Sequence, residues 1–176
     1  MILDFFYTSA NLKKIPRQGW IDKLSIDNSE SVADHTFSMA MMGMIFSDLE
    51  KCNTEKILKM ILLHDLAESV TGDLMPEQIS KEEKTMLENN AIKKILNDLP
   101  LSLQEQYHLL WDDYQSNNSK EAKIVHQLDK LEMALQAKIY SNEGYHREKM
   151  NSFFDSARKE IDDPRLLEFF KKISEK

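Results

Sequence analysis

A chain of 176 residues fits one domain and is long enough to bury roughly two-thirds of its unfolded surface. Its 41% hydrophobic and 30% charged residues are ordinary for a soluble globular protein. The net charge of −7 argues against a partner that is a nucleic-acid polymer, while leaving room for a local basic pocket for one phosphate. Cys52 is the only cysteine, so an intrachain disulfide and a Cys-rich zinc site are both excluded, in keeping with a reducing compartment.

Four Gly and four Pro predict long helices with few tight turns. Residues 2–14 read as a first amphipathic helix, with Leu3, Phe6, Tyr7, Ala10 and Leu12 on or near one face. The start of the chain lacks a basic segment followed by an apolar core, and the most apolar run, residues 37–46, is far short of the ~20 residues a bilayer span needs. A cytoplasmic protein without membrane contact is the expectation. Pro16 and Gly19 break the first helix, and the loop 16–20 presents Arg17 and Trp20. These read either as a surface cation beside a core-edge aromatic, or as a phosphate grip beside a flat wall for a sugar or base.

Residues 21–30 read as irregular, with a turn at Asp27-Asn28-Ser29. Ser31 and Asp34 form a capping box that opens a second helix to about Leu49, with Val32, Phe37, Met41, Met44 and Ile45 expected to face the core. Its methionines read as flexible packing rather than a thioether metal cluster. His35 lies in its first turn. Thr54 is expected to cap a third helix, 55–70, whose apolar set is Ile57, Leu58, Ile61, Leu62, Leu66 and Val70.

That third helix carries His64, Asp65 and Glu68, and burying unpaired polar groups costs roughly 2–7 kcal/mol for the neutral ones. Either the pair is a satisfied core histidine with a neighbouring acid, or a divalent metal compensates, since imidazole nitrogen and carboxylate oxygen are both ligands. Glu68 is spaced to reach the same cavity. Gly72 and Pro76 end the helix, and Asp73 follows in the loop, as a turn residue or beside a cation or a substrate hydroxyl.

Ser80 and Glu83 form a second capping box for a helix to about Leu99 with an apolar stripe of Met86, Leu87, Ala91, Ile95 and Leu96. Pro100 stops it, and Ser102 starts the next, with Tyr107, Leu110, Trp111 and Tyr114 inward. After the loop 116–120, a helix to about Ser141 sets Asp129 among Ile124, Val125, Leu128 and Leu131, where it again needs a partner; His126 reads as structural or partly exposed. Two short helices at roughly 150–160 and 164–174 close the chain. No segment reads convincingly as a strand, so the fold class is all-α.

The set His35, His64-Asp65 and Asp129 resembles the H…HD…D pattern of the HD-domain metal-dependent phosphohydrolases. The flanking stretches Glu30-Ser31-Val32-Ala33-Asp34-His35, His64-Asp65-Leu66-Ala67-Glu68-Ser69-Val70-Thr71-Gly72-Asp73 and Gln127-Leu128-Asp129-Lys130-Leu131-Glu132 are similar to the 5′-deoxynucleotidase branch of that family. The resemblance runs from about Leu12 to the C-terminus. It implies a compact single-domain helical bundle over 1–176, with a metal-site core at about 29–142 and the C-terminal helices at about 150–174 packed onto it. It implies metal-dependent hydrolysis of deoxyribonucleoside 5′-monophosphates to deoxynucleosides and phosphate.

In that reading His35, His64, Asp65 and Asp129 hold a divalent cation (Mn, Co, Fe, Ni, Zn or Mg). Glu68 orients or deprotonates water, and Asp73 contacts the sugar, assists the leaving group or joins Glu68 in holding a second ion. Arg17 grips the phosphate and Trp20 walls the sugar. The resemblance and the Met-rich helices also imply a homodimer. Two other readings stand beside it: an HD hydrolase of another phosphoester, such as a cyclic nucleotide or a guanosine polyphosphate, and a nucleotide-binding HD scaffold with little turnover.

Overall fold

Three long helices open where a hydroxyl or amide side chain caps them. Ser31 accepts from the Asp34 N–H while Asp34 reaches back to Ser31, Ser80 and Glu83 do the same, and Ser119 accepts from Ala122. The computed structural model describes residues 1–75 and 77–175. In chain order its helices are α1 (Ile2–Ala10), a 3₁₀ turn (Asn11–Lys14), α2 (Gln18–Leu24), α3 (Val32–Glu50), α4 (Thr54–His64), α5 (Glu68–Thr71), α6 (Lys81–Leu96), α7 (Leu101–Ser116), α8 (Lys120–Asn142), a 3₁₀ turn (Arg147–Met150), α9 (Asn151–Glu160) and α10 (Pro164–Ser174). Among the described residues there is no strand, only one isolated bridge between Pro16 and Ser31, so the protein is all-α. Pro76, expected to block helix continuation, lies outside the described residues.

The centre is an α3–α4–α8 layer built on Met39, Phe46, Ile57, Met60, Ile61, Val125 and Leu128, all buried, with α9 and α10 closing it through Ala157, Leu166 and Phe170. A second apolar cluster joins Leu12, Val32, Leu63 and Leu66 to Ile92, Leu96 and Trp111 of α6 and α7. At Gly43 the α3 backbone approaches α4 so closely that an added Cβ would overlap Ile61 Cδ1 and stand 3.1 Å from Ile57 Cγ2.

Several expectations need correcting. The segment 18–24 is helical: the chain enters α2 at Gln18, so Trp20 sits on a helix and not in a loop. The first helix ends at Ala10 and tightens to 3₁₀, with Leu12 as its first buried residue. Asn53, not Thr54, caps α4 by accepting from the Lys56 N–H; Thr54 Oγ1 bonds Asp48 instead. The α6 helix stops at Leu96, and α7 starts at Leu101 without a side-chain cap.

The inward face of α3 is also different. Phe37, Met41 and Ile45 are 68%, 46% and 54% exposed, and the buried face holds His35, Met39, Gly43 and Phe46. With apolar side chains all around this helix, periodicity carried no directional signal. Leu62 and Val70, and Met86 and Leu87 on α6, are likewise exposed.

The most consequential difference lies at residue 65. The expected 55–70 helix ends at His64, and Asp65 leaves helical geometry at φ −108°, ψ 11° before a single further turn, α5, closes on Gly72 at φ +75°. Gly43→Ala tests the close packing that sets α3 against α4: it should destabilise the fold by ~1–3 kcal/mol through overpacking, read as a lower melting temperature.

Candidate metal centre

α3, α4 and α8 bring three of the expected ligands to one point. The nearest ligand atoms of His35, His64 and Asp129 all lie within 4.8 Å of one another. The break after His64 turns Asp65 back into the same space, its Oδ2 3.0 Å from His64 Nε2 and 3.8 Å from His35 Nε2. Asp129 Oδ1 stands 3.3 Å from His35 Nε2. His35 is fully buried and His64 is 5% exposed.

The ring orientations are fixed from behind. His35 Nδ1 hydrogen-bonds the Glu132 carboxylate, and His64 Nδ1 donates to the Ile61 carbonyl at 2.6 Å. A carbonyl oxygen only accepts, so His64 carries a proton on Nδ1, and its Nε2 is the nitrogen that faces the cluster. Both Nε2 atoms are buried and, although close to carboxylate oxygens, make no properly angled hydrogen bond. Two orphaned imidazole nitrogens facing two carboxylates are donors that could hold a divalent cation, with an acid and a carbonyl in the supporting positions such sites use.

The electrostatics agree. Burial and Arg17 pull the His35 imidazole down, but Asp129 and Glu132 outweigh them and raise it to about 9. The carboxylates that would hold a proton there would equally hold a metal cation. Burial pushes Asp65 up, yet His64, Arg17 and His35 hold it well below the usual carboxylate range. Lys130, 3.0 Å from Asp129 Oδ2, and His35 do the same for Asp129 against its burial.

Glu68 follows one turn later, on α5. It is 3% exposed, and its Oε2 is buried without a hydrogen-bond partner. Burial, together with the charges of Asp65 and Asp73, raises its carboxyl well above the usual range. Asp73 Oδ2 accepts the Gln18 backbone N–H at 2.8 Å, which joins the loop after α5 to the start of α2.

Arg17 precedes α2, where main-chain bonds (Arg17 N–H to Glu30 O, Val32 N–H to Ile15 O) strap residues 15–17 to the start of α3. Its Nη1 lies 3.5 Å from Asp65 Oδ2. Burial would weaken the guanidinium's hold on its proton, but Asp65, Asp129, Asp73 and Glu68 more than compensate, so it stays charged.

Trp20 is placed elsewhere. It is 1% exposed, packed 4.2 Å from the Phe153 ring centroid and edge-on to Tyr140, with its indole N–H on Glu30 Oε1 at 2.8 Å. It therefore plugs the core, and the expected sugar wall is not available from it.

The structure adds residues that the sequence did not single out. Glu132, 1% exposed, is the largest omission; its i+3 spacing from Asp129 on α8 was the available signal. Glu30 lies with His35 and Glu132 in a second acidic group, and burial with Glu132 lifts it to about 7. Tyr114 of α7 sets its ring edge-on to His64 and stacks at 4.3 Å on His126, which is partly buried.

The HD domain family matches residues 9–167. The human 5′-deoxynucleotidase HDDC2 is 35% identical over 98% of this chain and 84% of its own length. Its counterpart in Dictyostelium discoideum is 40% identical over 92% of this chain and 90% of its own. A crystal structure of a Pyrococcus horikoshii protein superposes with a TM-score of 0.80 at 29% identity, covering 97% of each chain. With that match, and with the two histidines and two aspartates of the H…HD…D pattern drawn together between α3, α4 and α8, the chain belongs to the HD-domain family.

Proposed function

We propose that this protein is a metal-dependent 5′-deoxynucleotidase that converts deoxyribonucleoside 5′-monophosphates to deoxynucleosides and phosphate. The observation that carries the reading is the pair of orphaned imidazole Nε2 atoms facing Asp65 and Asp129. The printed names of the human and Dictyostelium relatives point the same way. His35, His64, Asp65 and Asp129 would hold one divalent cation. Such an ion supplies Lewis-acid activation of water and offsets negative charge on the phosphoryl oxygens.

The chain's own groups do the rest. Glu68, whose carboxyl is raised above the usual range by burial beside Asp65 and Asp73, is placed to orient the attacking water or take its proton. Arg17, strapped against α3 and held charged, offers its guanidinium to the phosphate. Asp73, fixed through one oxygen by the Gln18 N–H, has the other to meet a sugar hydroxyl or the leaving oxygen. A close pocket around the sugar would prefer deoxy over ribo substrates; an apolar wall rejects an added hydroxyl by only ~10²-fold, so preference and not exclusion is expected.

We also place a homodimer contact on α3. Phe37, Met41, Ile45 and Leu49 step by four residues along one face, each about half exposed or more, with Leu62 of α4 also exposed. Its occupant would be a second copy of this chain. A cytoplasmic location fits the single free thiol of Cys52; among the described residues no helix is long and apolar enough to cross a membrane.

Three measurements follow. Protein stripped with chelator and resupplied with Mn, Co, Mg or Zn should release phosphate from the deoxy set across bases and weakly from the ribo set. Glu68→Gln should keep its metal and lose ~10²-fold or more in kcat; no release from any monophosphate with any metal would contradict the reading. For the interface, Ile45→Glu should convert a dimeric wild type into a monomer in light scattering, and a monomeric wild type would remove the assignment.

A further inference from the structure

The two aspartates of the cluster present their oxygens differently. Asp65 turns one atom, Oδ2, to both histidines, 3.0 Å from His64 Nε2 and 3.8 Å from His35 Nε2. Asp129 divides its pair. Oδ1 faces inward, 3.3 Å from His35 Nε2, while Oδ2 is ion-paired at 3.0 Å with the ammonium of Lys130, the next residue on α8. No step of the proposed reaction uses this lysine.

Adjacent residues of a helix point about 100° apart, so Lys130 does not meet Asp129 by default. Its stem has to bend toward its neighbour, at a cost in side-chain entropy. The pair is mostly shielded, with 25% of the lysine and 17% of the aspartate side chain exposed, and is screened less than a pair on an open surface. The charge of Asp129, joined by that of Glu160 at the end of α9, keeps the ammonium protonated against its burial.

A carboxylate can give a divalent ion one oxygen or two. Giving two, Asp129 would fill a further coordination position, one that water or a phosphoryl oxygen needs. Oδ2 would then have to leave Lys130, and a partly buried ammonium would lose its partner. The lysine thus competes with an ion for Oδ2 and leaves Oδ1 to it. At Asp65 the neighbouring cation makes no such division, because Arg17 Nη1 lies 3.5 Å from the same Oδ2 that faces the histidines.

We propose that Lys130 is a positioning residue that makes Asp129 a one-oxygen ligand: by holding Oδ2 it keeps one coordination position of the metal centre open for the attacking water or the phosphate. This role rests on the metal site proposed above and not on which phosphate ester is hydrolysed.

The test compares wild type, Lys130→Met and Lys130→Arg, each loaded with Mn(II) to equal occupancy, by the relaxation rate of water protons, which reports water exchanging on the bound ion. Four single-atom ligands leave about two of six octahedral positions open, so Lys130→Met should lose about half of the wild-type enhancement as Asp129 closes on the ion with both oxygens. Lys130→Arg, which keeps a cation on Oδ2, should hold the wild-type value. In phosphate-release assays Lys130→Met should lose ~10–100-fold in kcat, and Lys130→Arg should recover most of it. Lys130 is partly exposed, so both variants should melt at the wild-type temperature.

An unchanged relaxation enhancement in Lys130→Met would overturn the proposal, and a rise in KM alone would make the lysine a phosphate grip instead. A wild type that takes up no Mn(II) would overturn the metal centre and this role with it. Failure of every monophosphate as a substrate would count against the proposed activity and leave the water count to decide.

Discussion

Two histidine rings locked from behind set the terms for this site. His35 is held through Nδ1 by Glu132 and His64 through Nδ1 by the Ile61 carbonyl, so both buried Nε2 atoms face Asp65 and Asp129, whose side chains are partly exposed. Neither ring can turn to find another partner without breaking a buried hydrogen bond. Arg17 and Lys130 offset part of the cost of the two acids, but the two unpaired ring nitrogens are left for a cation to satisfy.

The backbone meets that demand by stopping a helix. Had α4 continued through residue 65, Asp65 would point about 100° around the axis from His64. The break lets consecutive side chains share one cavity, and the residues after it form the short turn that carries Glu68 and the loop that carries Asp73. The Gly43 contact keeps α3 close to α4, and the strap of residues 15–17 brings Arg17 to the same place. Charge is then balanced residue by residue: Arg17 beside Asp65, Lys130 beside Asp129, Lys84 beside Glu68.

Much of this was legible in the sequence, and the reasons differ by residue. Ser31 and Ser80 announced their helices because capping is a local hydrogen bond between residues three apart. The His64-Asp65 pair and Asp129 stood out because polar groups among apolar neighbours need a partner, whereas His35, in a first helical turn, became a candidate only alongside them. The inward face of α3 was not readable, because Phe37, Met41 and Ile45 are as apolar as the residues that are buried. The stop at His64 was hidden by apolar residues that continue past it. Trp20 depends on contacts with distant Phe153 and Tyr140, of which sequence spacing carries no trace, and Glu132 shows only its i+3 spacing from Asp129, not its bond to His35.

The most direct test of the central claim is anomalous diffraction from crystals grown with Mn(II). The account predicts a peak between α3, α4 and α8, within coordination distance of His35 Nε2, His64 Nε2 and a carboxylate oxygen each of Asp65 and Asp129. A crystal with no peak there, or with its ion held by Glu30 and Glu132 instead, would contradict it.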